Sequence, residues 1–101
     1  MEKLITNQKE RAEARHVLEI EAESIQLASK RLGESFSEAI DLLHQDDNKI
    51  IVTGIGKSGH LGKKLAATFC STGSPAAYLH PSEAVHGDLG IHQKGDPVIF
   101  L

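Results

Sequence analysis

The run Lys49-Ile50-Ile51-Val52-Thr53, followed at once by Gly54-Ile55-Gly56-Lys57-Ser58-Gly59, constrains the fold more than any other stretch of the chain. Consecutive β-branched residues suit a strand buried on both faces, which carries no polar alternation. Gly54, Gly56 and Gly59 then allow a tight turn. The turn feeds a helical pattern with Leu61, Leu65, Thr68 and Phe69 on one face. Gly73 is placed to cap the end of that helix, and Pro75 marks its exit. Ala76-Ala77-Tyr78-Leu79-His80 reads as a second short strand. Pro81-Ser82-Glu83 opens a helical turn through about His86, Gly87 to Asp96 reads as a loop, and Asp96-Pro97 launches a third strand.

Upstream, Leu18, Ala22, Ile25, Ser29, Leu32, Phe36, Ala39 and Leu43 follow one another at steps of three or four. The spacing predicts one apolar stripe on a helical face. Gly33 interrupts the run, and Ser35-Phe36-Ser37-Glu38 has the S-x-x-E form of a capping box. Two helices are therefore expected, from about Lys3 to Arg31 and from Ser35 to about Gln45, with Asp46-Asp47-Asn48 as the turn into the first strand. The expected class is α/β: N-terminal helices over residues 1–45, then a parallel βαβ(α)β sheet over 46–101 with right-handed crossovers. A long helix is hard to bury against so small a sheet. Its stripe is expected to meet a partner subunit, or a part of the protein outside this sequence.

Composition narrows the functional classes. The chain has 101 residues, with 40% apolar and 25% charged, as expected of one globular domain. No stretch approaches a membrane span, and the polar N-terminus has no apolar signal core. A single cysteine, Cys70, forms no internal disulfide and fits a reducing cytoplasm. The net charge of −3 and the absence of tryptophan argue against nucleic acid as a partner.

The glycine-rich turn sits where a buried strand hands over to a helix N-terminus. Open N–H groups and the helix dipole favour an anion there. Gly56 and Gly59 let the backbone approach it, Ser58 adds a hydroxyl and Lys57 a cation. Three ligand readings compete. Gly54, Gly56 and Gly59 match the dinucleotide pattern G-x-G-x-x-G, but no carboxylate ends the second strand to hold a ribose. Gly56-Lys57-Ser58 is similar to the end of a Walker A loop, but Ile51 stands where its leading glycine belongs. A short G-x-G-x-S-G turn that holds one phosphate of a sugar phosphate lacks nothing. A tight turn with glycines for sterics alone is the bland alternative, and it leaves Lys57 and Ser58 without a task.

Of the six histidines, His80 ends the second strand on the edge where ligands bind in open α/β folds, and His86 follows close by. Either can move protons near neutral pH, or simply bond a backbone group and shape the loop. His16, His44 and His92 fall on polar positions and read as surface. No spacing of His, Cys or Asp matches a closed zinc site.

The run from Val52 through Phe69, with Gly54-Ile55-Gly56-Lys57-Ser58-Gly59-His60 at its head, continues into Ser71-Thr72-Gly73-Ser74-Pro75, His80-Pro81 and His86-Gly87-Asp88-Leu89-Gly90. Together these motifs closely resemble the sugar isomerase (SIS) domain of arabinose-5-phosphate isomerases, over about residues 10 to 101. The resemblance implies the front part of a three-layer α/β/α fold and an aldose–ketose isomerase. It would interconvert D-ribulose 5-phosphate and D-arabinose 5-phosphate for 3-deoxy-D-manno-octulosonate and lipopolysaccharide synthesis. It implies a catalytic role for Lys57 and substrate contacts at Gly73, Ser74, His80 and His86, with His80 also able to bind zinc; no cofactor is required. Gly56, Ser58 and Gly59 join them as the phosphate turn. A homo-oligomer acting on a phosphorylated pentose is expected. The domain of such relatives continues past the third strand with a second phosphate loop and further acid–base residues, so this chain alone is expected to show weak or no activity. The alternative is a non-catalytic sugar-phosphate-binding regulatory module on the same domain.

Overall fold

The computed structural model describes residues 1–101. The chain divides into two compact units, Met1–Phe36 and Ser37–Leu101, so most of the second helix groups with the sheet rather than with the first helix. The first unit is dominated by α1, Glu2–Arg31, whose thirty residues are all outside any core. Glu2 in its first turn and Lys30 and Arg31 in its last complement the helix dipole. The chain turns extended at Leu32 (φ −63°, ψ 126°), which ends the helix and breaks the register of the expected stripe. Ile25 is 71% exposed, and Leu18 and Leu32 are also exposed.

Helix α2 spans Glu34–Leu43. Ser35 lies inside it rather than ahead of it, so the expected capping box does not form. The first turn instead closes from Gly33, whose carbonyl accepts the Phe36 N–H. Leu43, at its far end, packs against the core of the sheet.

The sheet holds β1 (Ile50–Thr53), β2 (Ala76–Tyr78) and β3 (Val98–Phe100), all parallel, in the order β2-β1-β3. Every residue of β1 is buried, as the unbroken apolar run requires. The Ile50 N–H donates to the Pro75 carbonyl on the β2 side, and the Ile51 N–H donates to Pro97 on the β3 side. Helix α3, Lys57–Ser71, covers the face that bears Ile50 and Val52. Its buried positions are Gly59, Gly62 and Ala66, with Phe69 partly buried against the core. The expected apolar face was wrong in part: Leu61 is 65% exposed, and Thr68 is exposed. The helix lies so close to β1 that only small residues fit beneath it. A Cβ at Gly62 would meet Val52 Cγ1 at 3.2 Å.

Gly73 does cap α3 as expected. It takes φ +95°, its N–H donates to Cys70, and the Ser74 N–H donates to Phe69, the paired bonds of a Schellman motif. A short helix, α4, spans Pro81–Val85, and a 3₁₀ turn spans Asp88–Ile91 within the expected loop. At the amino end of the sheet, the Asp96 carboxylate ties the turn before β3 to the turn before β1. It accepts from Lys49 Nζ at 2.6 Å, the Lys49 N–H at 3.1 Å, the Asn48 side chain at 3.2 Å and the Gln93 N–H at 2.9 Å. The Asp96 side chain is only 2% exposed. No helix is long and apolar enough to cross a membrane.

Candidate functional site

The strand order places β1 in the centre with its sequence neighbours on opposite sides. The chain leaves β1 toward β2 and returns on the far side as β3, so the carboxyl end of β1 lies at a switch in strand order. Ligands of open α/β sheets bind at such points. Gly54 to Gly56 leaves β1 there, and α3 begins at Lys57. Gly56 is the N-cap residue and takes φ +63°, a backbone conformation that suits glycine. It has no side chain to cap the helix, and the first turn holds no carboxylate. The opening N–H groups of α3 therefore meet neither a side-chain cap nor a competing negative charge. Gly59 is buried beneath the turn: a Cβ there would lie 2.7 Å from the Tyr78 hydroxyl and 2.8 Å from the Gly54 carbonyl oxygen.

A cleft of about 190 Å³ opens beside this turn, lined by Gly56, Gly59, His60, Lys63, Tyr78 and His80. Gly56, Gly59 and His80 are thus brought together as the sequence suggested. His80 serves structure with one of its ring nitrogens: Nδ1 accepts the Ser82 N–H at 3.1 Å and caps α4. The other nitrogen is not used in that bond. The cleft carries two imidazoles and one ammonium and no carboxylate, which suits an anion.

The remaining candidates lie elsewhere. Lys57 is exposed on the first turn of α3 and is not among the residues that line the cleft. Ser58 is half-buried and faces a separate, mostly apolar groove with Leu61, Leu65 and Leu101. His86 is exposed and ends α4 as its C-cap. Gly73 and Ser74 precede β2, so they lie at the amino end of the sheet, opposite the glycine turn. His92, read as a plain surface residue, is exposed but pairs its Nε2 with the Asp96 carbonyl oxygen at 2.9 Å. His16 and His44 are exposed as expected.

The sequence reading missed Lys63, Tyr78 and the separate position of His60 in the cleft. His60 and Lys63 are three residues apart on α3, which places them on one helical face. Tyr78 precedes His80 by two residues. Both spacings are visible in the sequence, but their convergence depends on α3 packing across β2.

No group of three or more His, Cys, Asp or Glu side chains is placed to hold a metal ion. His80 offers one nitrogen. A zinc ion there would have to draw its other donors from outside these residues.

A small parallel sheet, with a glycine turn at its switch point and a cleft lined by His60, Lys63 and His80 beside it, defines an α/β domain. The SIS domain family matches residues 42–101, and the chain belongs to that family. Among known proteins it is 46% identical over 87 residues to arabinose 5-phosphate isomerase GutQ of Salmonella typhi, covering 86% of this chain and 27% of that protein. It is 44% identical over 85 residues to arabinose 5-phosphate isomerase KdsD of Francisella tularensis, covering 81% of this chain and 26% of the relative. The chain therefore spans about a quarter of the length of the curated relatives it matches. Its fold superposes on a solved Escherichia coli protein in complex with arabinose 5-phosphate, with TM-score 0.77 and 39% identity, over 86% of this chain and 46% of that one.

Proposed function

We propose that the chain carries the front part of a phosphosugar site that serves aldose–ketose isomerisation of D-ribulose 5-phosphate and D-arabinose 5-phosphate. The observation that carries this reading is the uncapped start of α3 at Gly56, opening beside a cleft that also holds His80. The activities for which the relatives are named support the choice of sugar phosphate. The phosphate would take the open N–H groups at Gly56, Ser58 and Gly59. Isomerisation then needs a base to remove the C–H proton beside the carbonyl and an acid to protonate the carbonyl oxygen, giving an enediol. A proton then returns to the former carbonyl carbon while the neighbouring hydroxyl gives up its proton and becomes the new carbonyl. Lys57 is the group assigned to that proton traffic, and His80 and His86 are assigned to the sugar. Gly73 and Ser74 would meet a ligand only at the other end of the sheet. Self-association through exposed apolar helix surface is part of the same proposal, and light scattering at micromolar concentration checks it: a clean monomer mass removes it.

The tests are binding and turnover with arabinose 5-phosphate. Saturable binding is expected, with turnover far below that of a relative of full length. No binding overturns the phosphosugar reading. Turnover equal to that of the longer relatives overturns the reading that essential acid–base groups lie outside these residues. Lys57→Ala should lower turnover much more than affinity. Equal losses would make Lys57 a phosphate contact instead. One observation favours the regulatory alternative: Lys57 stands outside the cleft that holds His80. Binding with no turnover fits either that alternative or an incomplete enzyme site. A chain of the relatives' full length that binds without turnover, unchanged by Lys57→Ala, would favour the alternative.

A further inference from the structure

Tyr78 is the last residue of β2 and takes no part in the chemistry assigned above. Its hydroxyl donates to the Gly54 carbonyl oxygen, 24 residues away, where the glycine turn leaves β1. The same oxygen fills the space above Gly59, and the ring lies over Gly62, where a Cβ would meet Tyr78 Cε2 at 3.2 Å. The ring stands edge-on to His80, with centroids 6.4 Å apart and planes at 78°. Lys63 Nζ lies 5.5 Å from the ring centroid, within cation–π range. One half-buried side chain therefore bears on the glycine turn, on α3 and on two basic groups of the cleft.

We propose that Tyr78 is a positioning residue of this cleft: it holds the Gly54–Gly59 turn, His80 and Lys63 in mutual register and so sets the affinity for a sugar phosphate. The inference deepens the phosphosugar reading and rests on it for the identity of the ligand. The physical reason is preorganisation. A turn with Gly54, Gly56 and Gly59 has much backbone entropy to lose, and an anion site works only when several N–H groups aim at one point. A phenol hydrogen-bonded to the first residue of the turn removes part of that cost before the ligand arrives. The ring also restricts Lys63, whose long side chain is otherwise free to leave the cleft.

The chain has one tyrosine and no tryptophan, so tyrosine emission reports on Tyr78 alone. Arabinose 5-phosphate is titrated into the full chain, with emission and calorimetry followed together, and the titration is repeated with Tyr78→Phe. A saturable emission change at the calorimetric midpoint is expected. Tyr78→Phe should bind about three- to ten-fold more weakly, the effect of losing one hydrogen bond. The His60 amide, which donates to the Gly56 carbonyl across the turn, should exchange about as much faster, while the urea midpoint moves little.

Calorimetric binding with silent emission and unchanged affinity in Tyr78→Phe overturns the proposal and leaves the phosphosugar reading standing. Absence of binding by the unaltered chain removes that reading instead. Amide exchange then decides the role of Tyr78: unaltered protection in Tyr78→Phe overturns it, and faster exchange supports it. If Tyr78→Phe does not fold, the emission of the unaltered chain decides: a change on binding supports the proposal, and silence overturns it.

Discussion

Helix α1 and the unit around β1 are ordered by different forces, although both are rich in aliphatic residues. In α1 nothing is buried, and Ile25 is 71% exposed. Its order rests on local terms: helix-favouring Glu, Ala, Leu, Lys and Arg, and charges that match the dipole at each end. Around β1 the order is tertiary. Ile50 is 4% exposed, Val52 is fully buried, and Ala66 of α3 closes on them. An isoleucine therefore has very different weight in the two places. Apolar surface stabilises a fold only in proportion to the area it removes from water.

Paired substitutions can break that contrast, and the largest effect is expected at its centre. Ile50→Ala should cost about 2–5 kcal/mol in urea unfolding, because it removes a buried side chain and leaves a cavity. A loss below about 1 kcal/mol would mean that the β1 core is loosely packed. Gly62→Val comes next, at about 1–3 kcal/mol, since its branched side chain must displace Val52 or Tyr78. A neutral Gly62→Val would show that α3 can lift from the sheet without loss.

The third effect is one of pH. The Lys49 ammonium, followed by the Gln93 N–H and the other donors, holds the Asp96 carboxyl well below its ordinary value of 3.8, against the opposing pull of desolvation. A depressed carboxyl adds stability above its unfolded pKa and loses it as pH falls toward the folded one. The unaltered chain should therefore lose stability as pH drops below about 4. Asp96→Asn should be less stable at neutral pH but lose less over the same acid range. Parallel pH profiles for the two would show that the Lys49–Asp96 pair is not coupled to folding. The smallest effect is expected in α1, where Ile25→Ala should shift stability by no more than about 0.5 kcal/mol. A loss comparable to that of Ile50→Ala would show that Ile25 is covered in solution, as self-association would require.

The site was legible in the sequence to the extent that its parts are neighbours in the chain. The strand, the glycine turn and the start of α3 follow one another without a break from Ile50 to Lys57. The Gly73 cap closes on the turn that precedes it. His80 follows the end of β2 and so had to lie at the same edge as the turn. Tyr78 and Lys63 escaped notice because their meeting depends on how a helix crosses a strand. The choice of Gly59, Gly62 and Ala66 over Leu61 as the buried side of α3 escaped for a related reason. Helical spacing marks candidate faces, but the distance to the sheet selects the one that fits beneath it.

Local pattern alone thus established the α/β order, the parallel-sheet class, the glycine turn and the motifs that place the chain in the SIS domain family. Each depends on backbone preferences and hydrogen bonds among residues close in sequence, which any copy of those residues repeats. The three-dimensional arrangement settled the rest. It joined Asp96 to Lys49 across 47 positions, hung the glycine turn on Tyr78, and set Gly73 and Ser74 at the opposite end of the sheet from His80. It also left Lys57 outside the cleft. Those relations arise from packing between segments far apart in the chain, where close approach, burial and charge pairing are properties of the folded whole and leave no periodic trace in the residues that make them.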